Sequence, residues 1–295
     1  MDQVSALPSK AIPAILIPTF HIFTPLLQAR RASIAAIPRQ TRSYGAHPRQ
    51  KVDIHSPTSA APRAPLLIFF YGGGLSGGDK ILPAVAIPDS LVYANLGAFF
   101  ASRDFVTLIP DYRRVNDPQT GAGEGAVCPS GAEDLAAVLG WLESGGLKGE
   151  GEGERRDVFI MGNSAGGVHL ASWLLAPQFE AERRRYLSES RVMRLSGAVL
   201  FAVPFHFKNA GPERREVLKV YYGDAWEGKC PFGLLEAVKA TGSRGKGLKP
   251  VELGIPPVLN LEGELDPEDE ILAPGRDFVQ LWMETLVRRG WRSGF

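Results

Sequence analysis

The sequence Gly162-Asn163-Ser164-Ala165-Gly166 places one hydroxyl between two glycines. It follows an apolar run at residues 157–161 and precedes a helix-like stretch at 168–175. A strand turning directly into a helix holds its turn residue in strained backbone geometry, and side chains two positions either side would collide there. Glycine at both places removes that collision. The serine is thereby lifted above a sheet as an exposed nucleophile, and the chemistry it suits is attack on an acyl carbonyl.

Such an attack develops negative charge on the carbonyl oxygen, which backbone N–H groups must approach closely. A buried-looking strand, Leu66-Leu67-Ile68-Phe69-Phe70, runs into Tyr71-Gly72-Gly73-Gly74. Residues lacking Cβ let a loop come near enough. The expected donors are Gly73, Gly74 and Ala165, the last being the residue after the nucleophile.

These stretches resemble the hormone-sensitive-lipase-like branch of the α/β-hydrolases, and more closely its fungal esterase-like members. Tyr71-Gly72-Gly73-Gly74 stands where that branch has His-Gly-Gly-Gly, and Asp111-Tyr112-Arg113 resembles its Asp-Tyr-Arg motif. Gly162 to Gly167 matches its elbow, and Tyr44-Gly45 with Gln50-Lys51-Val52-Asp53 looks like its entry to the first strand. The resemblance covers most of the chain. It implies an α/β-hydrolase fold and a carboxylic-ester substrate, although the same constellation also cleaves amides.

The acid partner is expected after a late strand, in the chain order Ser, Asp or Glu, His. Glu262-Gly263-Glu264-Leu265-Asp266 follows the apolar residues 258–261. By resemblance the acid is Asp266, with Glu264 as second choice, and its role is to orient an imidazole. The histidine itself is expected beyond the next helix, yet none of the five histidines follows His206. The chain is expected to stop where the last strand begins, without base or strand. His206, after the strand ending near residue 203, is left as a surrogate base or a wall of the pocket; His169 is read as a packing residue. Two functions stay open: a carboxylesterase-like serine hydrolase with impaired turnover, and a non-catalytic relative that binds an apolar ligand or a protein.

The remaining sequence sets the frame. A length of 295 residues with 44% hydrophobic content supports one large core, and a net charge of +1 gives no reason to expect nucleic acid. Cys128 and Cys230 are too few for a disulfide framework and sit in no histidine cluster, so neither metal nor cofactor is expected. Alternating apolar runs and helical patterns predict a mostly parallel sheet with helices on both faces. Residues 52–55 are read as an edge strand. Residues 1–50 are expected as a lid or cap and 51–295 as a single core, with a cap insertion at about 204–250. Its aromatic residues are read mainly as packing. Residues 11–27 are apolar but hold Pro13, Pro18 and Pro25, which argue against a membrane span. A lid is the simpler reading, with membrane-surface contact through residues 11–31 as the other and a cytoplasmic location expected. Oligomeric state is not legible.

Overall fold

The structure, a computed structural model, describes residues 2–58, 63–82, 91–147, 155–241, 248–286 and 291–293. Residues 145–156 and 241–249, glycine-rich stretches whose composition predicts surface loops, fall largely outside these residues. Helices α1 (Asp2–Ser5), α2 (Ile12–Ala29) and α3 (Arg31–Ala35) lead into strands β1 (Arg39–Ser43) and β2 (Lys51–His55). An alternating series follows: β3 (Leu66–Phe70), α4 (Leu91–Ala101), β4 (Val106–Pro110), α5 (Ser130–Glu143), β5 (Arg156–Asn163) and α6 (Ala165–Leu175). Then come α7 (Glu180–Arg184), β6 (Met193–Phe201), α8 (Pro212–Tyr222), α9 (Pro231–Thr241), β7 (Val258–Leu261), α10 (Ala273–Thr285) and β8 (Trp291–Ser293).

Among the described residues the strands form one eight-stranded sheet in the order β1-β2-β4-β3-β5-β6-β7-β8. Strands β3 to β8 run parallel, and β2 is antiparallel to both β4 and β1. Right-handed crossovers carry α4 over one face and α5, α6 and α10 over the other. This is an α/β-hydrolase fold. Every residue of β3 and of β4 is buried, as strands covered on both faces require. In α5 the buried Leu135, Val138, Leu139 and Leu142 recur at helical spacing and make one core-facing stripe. Helix α6 is buried on all sides, because it packs on the sheet and also meets α5 and α9.

Two expectations need correction. Residues 52–55 are not an edge strand: Arg39–Ser43, inside the segment expected as a lid, pairs with β2 and takes the edge. The last strand is not missing, since Trp291–Ser293 pairs in parallel with β7. Helix α2 contains Pro18 and Pro25 and runs through both. Each proline removes one backbone donor, and the helix tolerates that loss here.

Candidate active site

The turn between β5 and α6 has the geometry that its sequence demands. Ser164 has φ 50° and ψ −118°, a left-handed strain imposed on a non-glycine residue. Its N–H donates to the Phe201 carbonyl at 2.9 Å, and Val168 N–H donates to the Ser164 carbonyl at 3.0 Å, so strand β6 and helix α6 both fix the turn. A Cβ on Gly166 would stand 2.2 Å from the Phe70 carbonyl oxygen, and one on Gly162 would stand 2.6 Å from the Gly166 oxygen. Any other residue at either place would push strand and helix apart.

The loop after β3 comes up beside this turn. A Cβ on Gly72 would lie 3.0 Å from the Ser164 Cβ, so the glycine run and the serine share one site. Gly77 N–H donates to the Gly73 carbonyl at 2.8 Å, and the Arg214 guanidinium of α8 donates to the Gly74 carbonyl. In a trans peptide N–H and C=O point opposite ways, so these two bonds fix the directions of the Gly74 and Leu75 N–H groups. Ala165, the first residue of α6, is buried at the amino end of that helix, where backbone N–H groups have no intrahelical partner.

Beneath the loop lies a polar network. The Tyr71 hydroxyl donates to Asp111 Oδ1 at 2.6 Å and accepts from Arg49 Nη2 at 3.0 Å. Lys80 meets the same carboxylate through its backbone N–H, 2.9 Å from Oδ1, and through its ammonium. Arg49 also donates to the Gly78 carbonyl at 2.8 Å, and Tyr112 OH donates to the Tyr71 carbonyl at 2.9 Å. Burial, reinforced by Tyr112 and Asp111, raises the Tyr71 pKa well above its ordinary value, so the hydroxyl keeps its proton and acts as a donor. Asp111 and Tyr112 of the Asp111-Tyr112-Arg113 motif thus hold Tyr71 at the head of the glycine loop, whereas Arg113 turns to the buried Asp134, to which its Nε donates at 2.9 Å.

Asp266 is half-buried in the turn beyond β7, and its Oδ2 accepts the Gly263 N–H at 2.7 Å. Glu264 is exposed. Glu262 accepts from Asn260 at 2.8 Å, and burial raises its carboxyl pKa. His206 is buried, with Nε2 3.0 Å from Asp277 Oδ2 on α10 and its ring edge-on to Phe232. Its Nδ1 is buried without a partner. Among the described residues, then, the carboxylate bonded to His206 is Asp277, not Asp266. His169 packs edge-on to Tyr112 at 4.7 Å and faces Tyr221 and Gly131, and burial pushes its pKa down to about 3. His55 lies in β2 against Gly97, and burial followed by the Arg39 charge lowers it to about 4. Both are neutral core residues.

The insertion's rings pack inward: Phe205 stacks on Phe278 at 3.9 Å, and Phe207, Tyr221 and Tyr222 are buried. Cys128 and Cys230 are free, and no group of three metal-ligating side chains occurs among the described residues. Sequence reasoning missed Arg214, Arg49 and Asp277, which act through contacts between distant segments. The one available signal was Asp111-Tyr112-Arg113, quoted for the fold and not for its support of the loop.

A mostly parallel sheet with a strained serine elbow and an adjacent glycine loop defines an α/β-hydrolase. Solved structures share that fold: esterase B from Lactobacillus rhamnosis (HN001) superposes with a TM-score of 0.62 at 18% identity, over 100% of this chain and 84% of that one. The carboxylesterase Cest-2923 from Lactobacillus plantarum WCFS1 does so with a TM-score of 0.56 at 15% identity, over 87% and 81%. Residues 52–216, more than half of the sequence, match the BD-FAE family, and the chain belongs to it. It is also similar to two proteins of Arabidopsis thaliana, a probable isoprenylcysteine alpha-carbonyl methylesterase (ICMEL2) and an isoprenylcysteine alpha-carbonyl methylesterase (ICME). Identity is 26% and 24% over 193 residues, 63% of this chain in each case. The match spans 41% and 40% of the length of these curated relatives.

Proposed function

We propose that this chain acts on small carboxylic esters through Ser164. The observation that carries the proposal is that a Cβ on Gly72 would lie only 3.0 Å from the Ser164 Cβ, so the strained nucleophile stands beside the glycine loop. On this reading Ser164 Oγ attacks the ester carbonyl and the N–H groups of Gly73, Gly74 and Ala165 hold the oxygen as it becomes negative. Asp266 is the acid of the site, and residues 11–31 offer a contact for a membrane surface.

The base is the weak point of the site. No histidine follows Asp266 in this sequence, and His206 is bonded to Asp277. On this reading His206 is a pocket wall and Ser164 attacks without full general-base help. Removing one triad member lowers turnover by about four to six orders of magnitude, with a residual rate from the oxyanion donors. That same His206–Asp277 bond favours a second reading, in which the site binds esters or apolar ligands without turning them over. Ester hydrolysis with and without Ser164→Ala separates the two: slow turnover lost in the variant supports the hydrolase, and identical rates leave the binding protein.

A further inference from the structure

Arg214, in the first turn of α8, is a half-buried cation that makes no ion pair among the described residues. A guanidinium carries five N–H groups, and here one bond is made, to the Gly74 carbonyl. Aromatic surface lines the rest of its surroundings. The Phe207 ring centroid is 5.6 Å away, and the Tyr222 ring lies 6.1 Å beyond that of Phe207. The Tyr222 hydroxyl is itself buried without a partner. Glu270, whose charge partly offsets the lowering of the Arg214 pKa by burial, is exposed and forms no bond with it.

Comparable guanidinium groups in this protein are satisfied. Arg49 pairs with Asp79, Arg113 with Asp134 and Arg114 with Glu124. Arg183 is buried without an ion pair, and its donors end on the carbonyls of Trp173, Ala176 and Leu253. Sheltering a charge is costly unless it is paired or fully bonded, and Arg214 is neither. None of its nitrogens is buried without a partner, so the unused N–H groups are open to an incoming group. The place is the rim of the proposed site. A Cβ on Gly74 would stand 3.0 Å from Arg214 Nη1, and one on Gly72 would stand 3.0 Å from the Ser164 Cβ. Two chain steps separate these glycines, at most about 7.6 Å between their Cα atoms. The spare donors are therefore within reach of a second group on the ligand that meets the serine.

A guanidinium with free donors binds a carboxylate through two parallel N–H···O bonds. The other cations below the loop, Lys80 and Arg49, already meet Asp111 and Asp79. One positive charge is on offer, which suits a monoanionic carboxylate better than a phosphate dianion. We infer that Arg214 selects esters that carry a carboxylate a few carbons from the ester carbonyl, with monoesters of short dicarboxylic acids as the simplest class. The bond to Gly74 aims the guanidinium, and its remaining donors read the ligand. This inference names a substrate class for the ester site proposed above and rests on that reading.

The test is calorimetric titration of Ser164→Ala, which lacks the attacking hydroxyl, with three esters built on one acyl chain: monoethyl adipate, diethyl adipate and ethyl 6-aminohexanoate. The anionic ester should bind at least about tenfold more tightly than the neutral one, and the cationic ester more weakly than either. Added salt should narrow the gap. Arg214→Met, introduced beside Ser164→Ala, should erase the differences, and Arg214→Lys should restore part of the preference for the anion. Thermal melts verify that each variant is folded. The comparison of the three ligands uses one folded protein, so it decides the matter even where Arg214→Met fails to fold. Equal affinities for the three esters overturn the inference and leave the ester reading standing. So does a preference for the anion that survives in folded Arg214→Met. Absence of binding by all three overturns the ester reading and this inference together.

Discussion

Gly72 stands so close to Ser164 that a Cβ on the glycine would be 3.0 Å from the Cβ of the serine. Loop and nucleophile therefore cannot be varied independently. Gly72→Ala must displace one or the other by a few tenths of an ångström, and small misplacements of reacting groups cost up to about 100-fold in rate. The expected result is a loss of about 10- to 100-fold in Ser164 acylation by an activated ester, followed by intact mass, with little change in the thermal melt. Acylation at the wild-type rate would mean that the loop gives way freely and takes no part in positioning.

Tyr71 stands where the family that the sequence resembles has a histidine, and the sequence alone suggests that exchanging the two should matter little, because the proposed oxyanion donors are backbone groups. The structure adds a cost. Tyr71→Phe removes the donor to Asp111 and leaves a buried carboxylate oxygen one bond short, at about 1–3 kcal/mol. Urea denaturation should show that loss. Tyr71→His should be destabilising as well, since it also loses the ring contact with Tyr112 at 4.9 Å. Unchanged stability in both variants would mean that the network beneath the loop is dispensable.

Arg214 reaches from α8 to the Gly74 carbonyl, and burial lowers its pKa. Its value to the site is to hold one peptide plane of the glycine loop. Arg214→Met keeps the length of the side chain and removes the donor. It should slow Ser164 acylation by about tenfold while moving the melt by only a few degrees, and Arg214→Lys should recover part of the rate. Equal rates in wild type and Arg214→Met would reduce the bond to a tie of the cap.

Two buried histidines give stability a defined pH dependence. His169 is held at about 3 by burial, against an ordinary value of 6.5. Below pH 6.5 the unfolded chain binds a proton that the folded protein refuses. The contribution is therefore complete above 6.5 and drains as the pH falls toward 3, at about 1.4 kcal/mol per pH unit. His55, held at about 4 by burial and then by Arg39, adds a like slope between 6.5 and 4. Urea denaturation at pH 7, 6 and 5 should show His169→Gln with a shallower decline than the wild type. Parallel declines would contradict the neutral, buried assignment.

Much of this architecture was legible in the residues. The uniformly apolar Leu66-Leu67-Ile68-Phe69-Phe70 could only be a strand covered on both faces, and the glycines at 162 and 166 announced the tight turn between β5 and α6. What sequence could not supply were pairings set by distant segments. Arg39–Ser43 reads as a polar stretch, and it becomes a strand only because β2 offers it an open edge. Trp291–Ser293 is too short to show a period, and parallel pairing with β7 defines it. Nothing near His206 in the sequence points to Asp277, which lies 71 residues away. The prolines of residues 11–27 speak to a membrane span and leave the helix itself unread; α2 passes through Pro18 and Pro25.

The central claim is that Ser164 is the atom that attacks an ester. Its most direct test is release of p-nitrophenol from a short-chain p-nitrophenyl ester, run side by side on the wild type and Ser164→Ala. The predicted result is a slow rate above background in the wild type, with the acyl group found on Ser164 by intact mass, and neither in the variant. Equal rates in the two proteins, with no acyl group on the wild type, would contradict it.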